Sequence, residues 1–203
     1  TTDPEVLLGF AFLADVGSPV RREIADKAVK ARPEFAPIAT VLAIAMDSYD
    51  EQAVGELIKR DPENALGYYL QAHLLYESDK NKESLDAFRK AAACPELRLY
   101  GSTTAAALFK ALDALNLTGR DRLAASSWVE TRISNFYIGD LQFQENDLSE
   151  MARKADLGIR KEISDLLLVL GGHLYATNFH NRSFAKQAVF YAFRRKAEIA
   201  AEE

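Results

Sequence analysis

The chain holds three histidines, His73, His173 and His180, and one cysteine, Cys94. A metal centre needs imidazole, thiolate or carboxylate ligands clustered at short, fixed spacings. No HExxH and no pair of histidines four apart occurs. His173 and His180 flank a predicted turn and are the two that could meet. Glu162 and Asp165 share a helix with His173 but stand two or more turns away. No metal and no cofactor is expected. Cys94 sits among Ala91, Ala92, Ala93 and Pro95, without a second cysteine for a disulfide. It reads as a half-buried, inert thiol. The chain lacks G-x-S-x-G, G-x-x-x-x-G-K and G-x-G-x-x-G, and no catalysis is expected of it. Asn116-Leu117-Thr118 and Asn181-Arg182-Ser183 match the glycosylation sequon, a pattern short enough to recur by chance.

A different chemistry is offered by Tyr69, His73 and Tyr76. Their spacing of four and three residues puts them on one stripe of a helix. Rigid aromatics with polar tips suit the recognition of a peptide. In the competing reading the same rings pack against neighbouring helices as core.

The elements that carry these residues are helices. The composition is 48% apolar and 27% charged, with few Gly and Pro and much Ala and Leu, the strong helix formers. The β-branched residues never alternate as in a strand. The net charge of −5 supplies no global attraction for nucleic acid. Arg194-Arg195-Lys196 reads as favourable charge in the last turns of a helix rather than as a phosphate contact. No apolar run approaches the length needed to span a bilayer. A soluble protein is expected, cytoplasmic or periplasmic, with the compartment itself not fixed by the sequence. The chain starts Thr1-Thr2-Asp3-Pro4 without an initiator Met, consistent with a removed leader or a trimmed N-terminus.

A repeat organises the first half. Pro-Glu occurs at Pro4-Glu5, Pro33-Glu34, Pro62-Glu63 and Pro95-Glu96, at intervals of about 29, 29 and 33 residues. Ten residues after each proline stands an alanine: Ala14, Ala43, Ala72 and Ala105. Proline fits the first turn of a helix, and the following Glu complements the positive helix end. Asp3 and Asp61 are expected N-caps. The phased alanine is expected where a second helix approaches closely. After turns at Gly17-Ser18-Pro19, Asp47-Ser48-Tyr49-Asp50 and Ser78-Asp79-Lys80-Asn81, second helices follow, each with one apolar face.

The stretch from Asp61 to Pro95 resembles a tetratricopeptide repeat, through Tyr68, Ala72 and Leu75, then Ser84, Phe88, Ala91 and Pro95. The resemblance extends more loosely over residues 3–116. The earlier units are shorter, and Gly101-Ser102-Thr103-Thr104 predicts a loose or kinked start to the fourth. The resemblance implies an all-α fold, an α-solenoid of helical hairpins whose first helices line a concave groove. Carried over by the alanine phase, it implies a partner-binding face of Tyr69, His73, Tyr76, Thr40, Ile44, Asp47, Phe109 and Lys110.

Beyond Asn116 the repeat is lost. Helices are expected over about 121–138, ended by Gly139-Asp140, and 147–154, opened by the capping-box spacing of Asp147 and Glu150. Two more are expected over 157–175, the most buried, and 182–200, capped by Asn181. Gly171-Gly172 predicts close backbone packing. A solenoid needs a cap for its last apolar face, and residues 117–203 are expected to supply it. The function expected is a protein–protein interaction module that binds a peptide or helix. The alternative is a self-associating scaffold, a homo-oligomer formed through the aromatic helix from Phe184 to Phe193.

Overall fold

The computed structural model describes residues 2–15, 17–46, 49–136, 138–177 and 182–202, with side chains for all of these except 46, 128–136, 138–142, 182–184 and 202. Among the described residues the fold is all-helical, and no helix is long and apolar enough to cross a membrane. The chain divides into two compact units, and each takes two separate stretches of sequence. The expected boundary at residue 116 falls inside the first unit.

The first unit comprises Thr1–Asp61 and Tyr100–Tyr137. It contains α1 (Pro4–Leu13), α2 (Pro19–Ala31), a 3-10 turn (Pro33–Phe35), α3 (Ala36–Met46), α4 (Glu51–Arg60), α7 (Gly101–Ala114) and α8 (Gly119–Phe136). α1 starts as the sequence predicts. Asp3 accepts hydrogen bonds from the Glu5 and Val6 amides, and Pro4 occupies the first turn. Its core joins Leu8 and Phe12 of α1, Ala25 and Ala28 of α2, Ile38 and Leu42 of α3, and Leu108 and Leu112 of α7. α1 packs on both α2 and α7. The second pairing skips the two hairpins between them in sequence.

That pairing is close because Gly9 lacks a side chain. A Cβ there would stand 2.1 Å from the Ala107 carbonyl oxygen and 2.7 Å from the Ala111 methyl. The small residue at close approach is therefore Gly9 and not the phased Ala14, which is the C-cap of α1. Arg21 of α2 is buried and turns its guanidinium onto that helix end. Nε donates to the Ala11 carbonyl at 3.2 Å, and another nitrogen donates to the Ala14 carbonyl. A cation thereby satisfies carbonyls that a helix C-terminus leaves open.

The second unit comprises Pro62–Leu99 and Ile138–Glu203, with α5 (Ala65–Glu77), α6 (Asn81–Ala93), α9 (Ile138–Lys154), α10 (Leu157–Thr177) and α11 (Arg182–Glu202). α5 and α6 form an antiparallel hairpin with Tyr69, Ala72, Phe88 and Ala91 inside. Ser84 Oγ donates to the Ala72 carbonyl at 2.8 Å, so the phased alanine does mark a close approach here. α9 packs on α5, and α10 packs on α6 and α9. α10 and α11 pair along Gly171, where a Cβ would meet Val189 Cγ2 at 2.7 Å; Gly172 faces open space.

Several predicted helix starts move. Pro33-Glu34 opens a 3-10 turn, Pro62-Glu63 lies in a turn, and Pro95-Glu96 precedes α7 by several residues. Asp61 is the C-cap of α4 rather than an N-cap, and its carboxylate accepts from the Tyr100 hydroxyl. The N-cap of α5 is the buried Asn64. Its Oδ1 takes the Leu66 and Arg98 amides at 3.1 and 2.8 Å, and its Nδ2 donates to the Arg98 carbonyl at 3.0 Å. An amide that bridges helix and returning chain fixes this start better than the proline does. Gly101-Ser102-Thr103-Thr104 forms the regular first turn of α7. Gly139-Asp140 lies within the first turn of α9 and does not separate helices. Asn181 lies outside the described residues.

Candidate functional site

Among the described residues, a grouping of imidazole, phenol and carboxylate side chains lies where α5 meets α9, inside the second unit. α5 supplies His73, Tyr76 and Glu77 from one face, as their spacing of three and four requires. α9 supplies Phe143, Asp147 and Glu150 by the same rule. His73 Nδ1 stands 2.7 Å from Asp147 Oδ2, with the imidazole N–H as donor. The Phe143 ring stacks on the imidazole, 5.2 Å between centroids and 8° from parallel. Burial pushes the Asp147 carboxyl above its usual range, and the His73 hydrogen bond opposes that rise. Glu77 is exposed and completes a set of three ligand atoms within 4.8 Å of one another.

Tyr76 borders this cluster and lines a groove of about 180 Å³. Leu85, Met151, Ile159 and Ile163 make most of its wall, with Glu150 and Lys82 among the lining residues. Burial raises the Tyr76 phenol, and so does the negative charge of Asp147, Glu150, Glu77 and Asp79.

The predicted binding face does not sit in one unit. Thr40, Ile44, Phe109 and Lys110 belong to the first unit, and Tyr69, His73 and Tyr76 to the second. Thr40 bonds back to the Ala36 carbonyl of its own helix at 2.9 Å. Ile44 is buried, Phe109 packs against the first unit's core, and Lys110 is ion-paired with Glu5. Asp47 lies outside the described residues. Tyr69 needs the clearest correction: its ring is 1% exposed, so no partner can touch it. It packs on Phe88, and its hydroxyl stands 3.0 Å from His173 Nδ1. Burial holds the Tyr69 phenol well above its usual range and His173 below its own, so both stay neutral. This pair is core.

The sequence reading missed Asp147 as a partner of His73. It placed Asp147 at a helix start, whereas α9 runs straight through it. The apolar spacing of Leu148, Met151 and Ala152 around it was the available signal. It also missed Glu145, a buried carboxyl two residues away. Desolvation pushes it up to about 7, and its Oε2 meets no hydrogen-bond partner among the described residues. His180 lies outside the described residues. Cys94 is half-buried at the end of α6, as expected, with Sγ 3.3 Å from the Lys90 carbonyl. Arg194 and Arg195 pair with Glu198 at 2.9 and 2.7 Å, and Lys196 pairs with Asp165 at 2.8 Å.

No family model matches this chain, and no curated protein or solved structure matches it.

Proposed function

We propose that this chain is a protein-interaction module of tetratricopeptide-like hairpins that binds a peptide or helix in the groove beside Tyr76. The observation that carries the reading is that groove. Its wall joins an aromatic with a polar tip to Met151 and aliphatic side chains, and such surfaces anchor a partner's apolar side chain. Its volume of about 180 Å³ falls below the roughly 300–1,000 Å³ of small-molecule pockets. It suits one or two anchoring side chains better than a cofactor. The binding face is thus drawn around Tyr76 and leaves out the buried Tyr69. The role is binding, and no reaction is assigned to it.

A photo-crosslinking residue in place of Tyr76 tests this in native lysate, with the same residue at Leu123 as control. Leu123 is 73% exposed and lies in the first unit. A protein captured at position 76 and not at 123 supports the reading, if its cognate peptide then binds the wild type and loses affinity for Tyr76→Ala. Equal capture at both positions rejects it.

Self-association has an observation of its own. Phe190 and Phe193 on α11 are 63% and 61% exposed, and one helical turn joins them. Two such rings are a natural seam between copies. Sedimentation velocity over a wide concentration range decides it. A dimer abolished by Phe190→Ser/Phe193→Ser supports the seam, and a monomer at every concentration removes it.

A further inference from the structure

We propose that His73, Glu77 and Asp147 form a binding site for a divalent transition-metal ion of the zinc class, with three protein ligands and one position left open. Imidazole with carboxylates is a ligand set such ions accept. His73 and Glu77 stand four residues apart on α5, so both reach the same side of that helix. Asp147 comes to them from α9, a second helix of the same unit.

The geometry requires only small movements. Around an ion bound at about 2.0–2.2 Å, tetrahedral ligand atoms lie roughly 3.4 Å apart. The three ligand atoms here already lie within 4.8 Å of one another. The exposed Glu77 side chain is free to close the difference. Asp147 is enclosed, its side chain only 6% exposed, and the His73 nitrogen now 2.7 Å from it must draw back to about 3.4 Å. The Phe143 ring lies stacked against one face of the imidazole and limits its rotation on that side. Metal entry would replace the His73–Asp147 hydrogen bond with two coordinate bonds, the Nδ1 proton being given up to solvent while Nε2 takes one, so that the imidazole stays neutral.

The electrostatics favour a cation. Neither Glu77 nor Asp147 pairs with a Lys or Arg among the described residues. The carboxylates that crowd Tyr76 mark the same region as negative. The competing account is a plain hydrogen bond between His73 and Asp147, in which Glu77 plays no part.

Glu77 therefore separates the two accounts. It is exposed, so Glu77→Gln leaves the fold intact, which an unchanged melting midpoint without metal confirms. Equilibrium dialysis with Zn2+, followed by Co2+ substitution read in the visible spectrum, is the measurement. The wild type should retain one chelator-removable ion per chain and give the intense bands of four-coordinate Co2+. Glu77→Gln should weaken binding at least about tenfold and lose those bands. Two outcomes overturn the site: no ion retained by the wild type, or retention that Glu77→Gln leaves unchanged. The second outcome would place the metal elsewhere, for example on His173.

Discussion

Gly9 of α1 and Ala107 of α7 meet backbone to backbone, with room for a hydrogen between them and none for a methyl group. The atom in the way is a carbonyl oxygen inside a helix, which cannot swing aside as a flexible side chain would. Gly9→Ala gains helix propensity but must push the two helices apart. The net cost expected is about 2–3 kcal/mol, at the upper end of overpacking penalties. Urea denaturation of the two variants measures it. A neutral or stabilising Gly9→Ala would show that α1 and α7 do not pack as described.

Arg21 makes a second prediction in the same unit. Its guanidinium is buried on the end of α1, where it serves two carbonyls. Arg21→Met keeps the length of the side chain and removes the donors. The open carbonyls are then left without their partners, at a cost of about 2–4 kcal/mol. Arg21→Lys should recover only part, because one ammonium cannot reproduce the fork of the guanidinium. Thermal melts of the three proteins give the order.

Glu145 predicts a stability that depends on pH. Its folded pKa of about 7 lies above the ordinary 4.5. A carboxyl raised on folding costs nothing below its unfolded pKa, because it is protonated in both states. The cost appears as pH rises from about 4.5 and is complete above about 7. Glu145→Gln does not titrate, so its advantage over wild type should be small at pH 4.5 and on the order of 1–2 kcal/mol at pH 8. Melting curves at the two pH values check this. A constant difference would mean that Glu145 is solvated in the folded chain.

Tyr69→Phe removes one buried hydroxyl and its bond to His173 while keeping the ring against Phe88. A loss of about 1 kcal/mol is expected. Capture at position 76 should be unchanged, because Tyr69 presents nothing to a partner. If Tyr69→Phe abolished capture and left stability intact, Tyr69 would return to the binding face.

Helices were legible in this sequence because Ala and Leu recur at helical spacing and few residues interrupt them. The N-cap Asp3 was read from purely local chemistry, and local chemistry decides such a feature; Gly171 announced a close approach without naming α11 as the helix that makes it. The fate of Tyr69 was not legible. Tyr69 and Tyr76 carry the same side chain on the same helix, and only the helices packed against α5 distinguish the buried ring from the half-buried one. Asp147 failed for a related reason. Its spacing to Glu150 imitates a capping box, and a buried acid in mid-helix makes sense only once His73 stands opposite. Partners distant in sequence leave no trace in spacing.

The interleaving of the two units has a consequence for synthesis. The ribosome delivers α5 and α6 before α7 and α8 have been made, although α7 and α8 belong with α1 to α4. The first four helices must wait for a return strand of chain, and the α5–α6 hairpin must wait longer still for α9 to α11. During that interval the α5 surface destined for α9 and α10 faces water. No cut at a single point separates the two units from each other. Trimming from the N-terminus takes helices from the first unit and trimming from the C-terminus takes them from the second, yet every fragment that keeps one unit whole still carries part of the other's sequence.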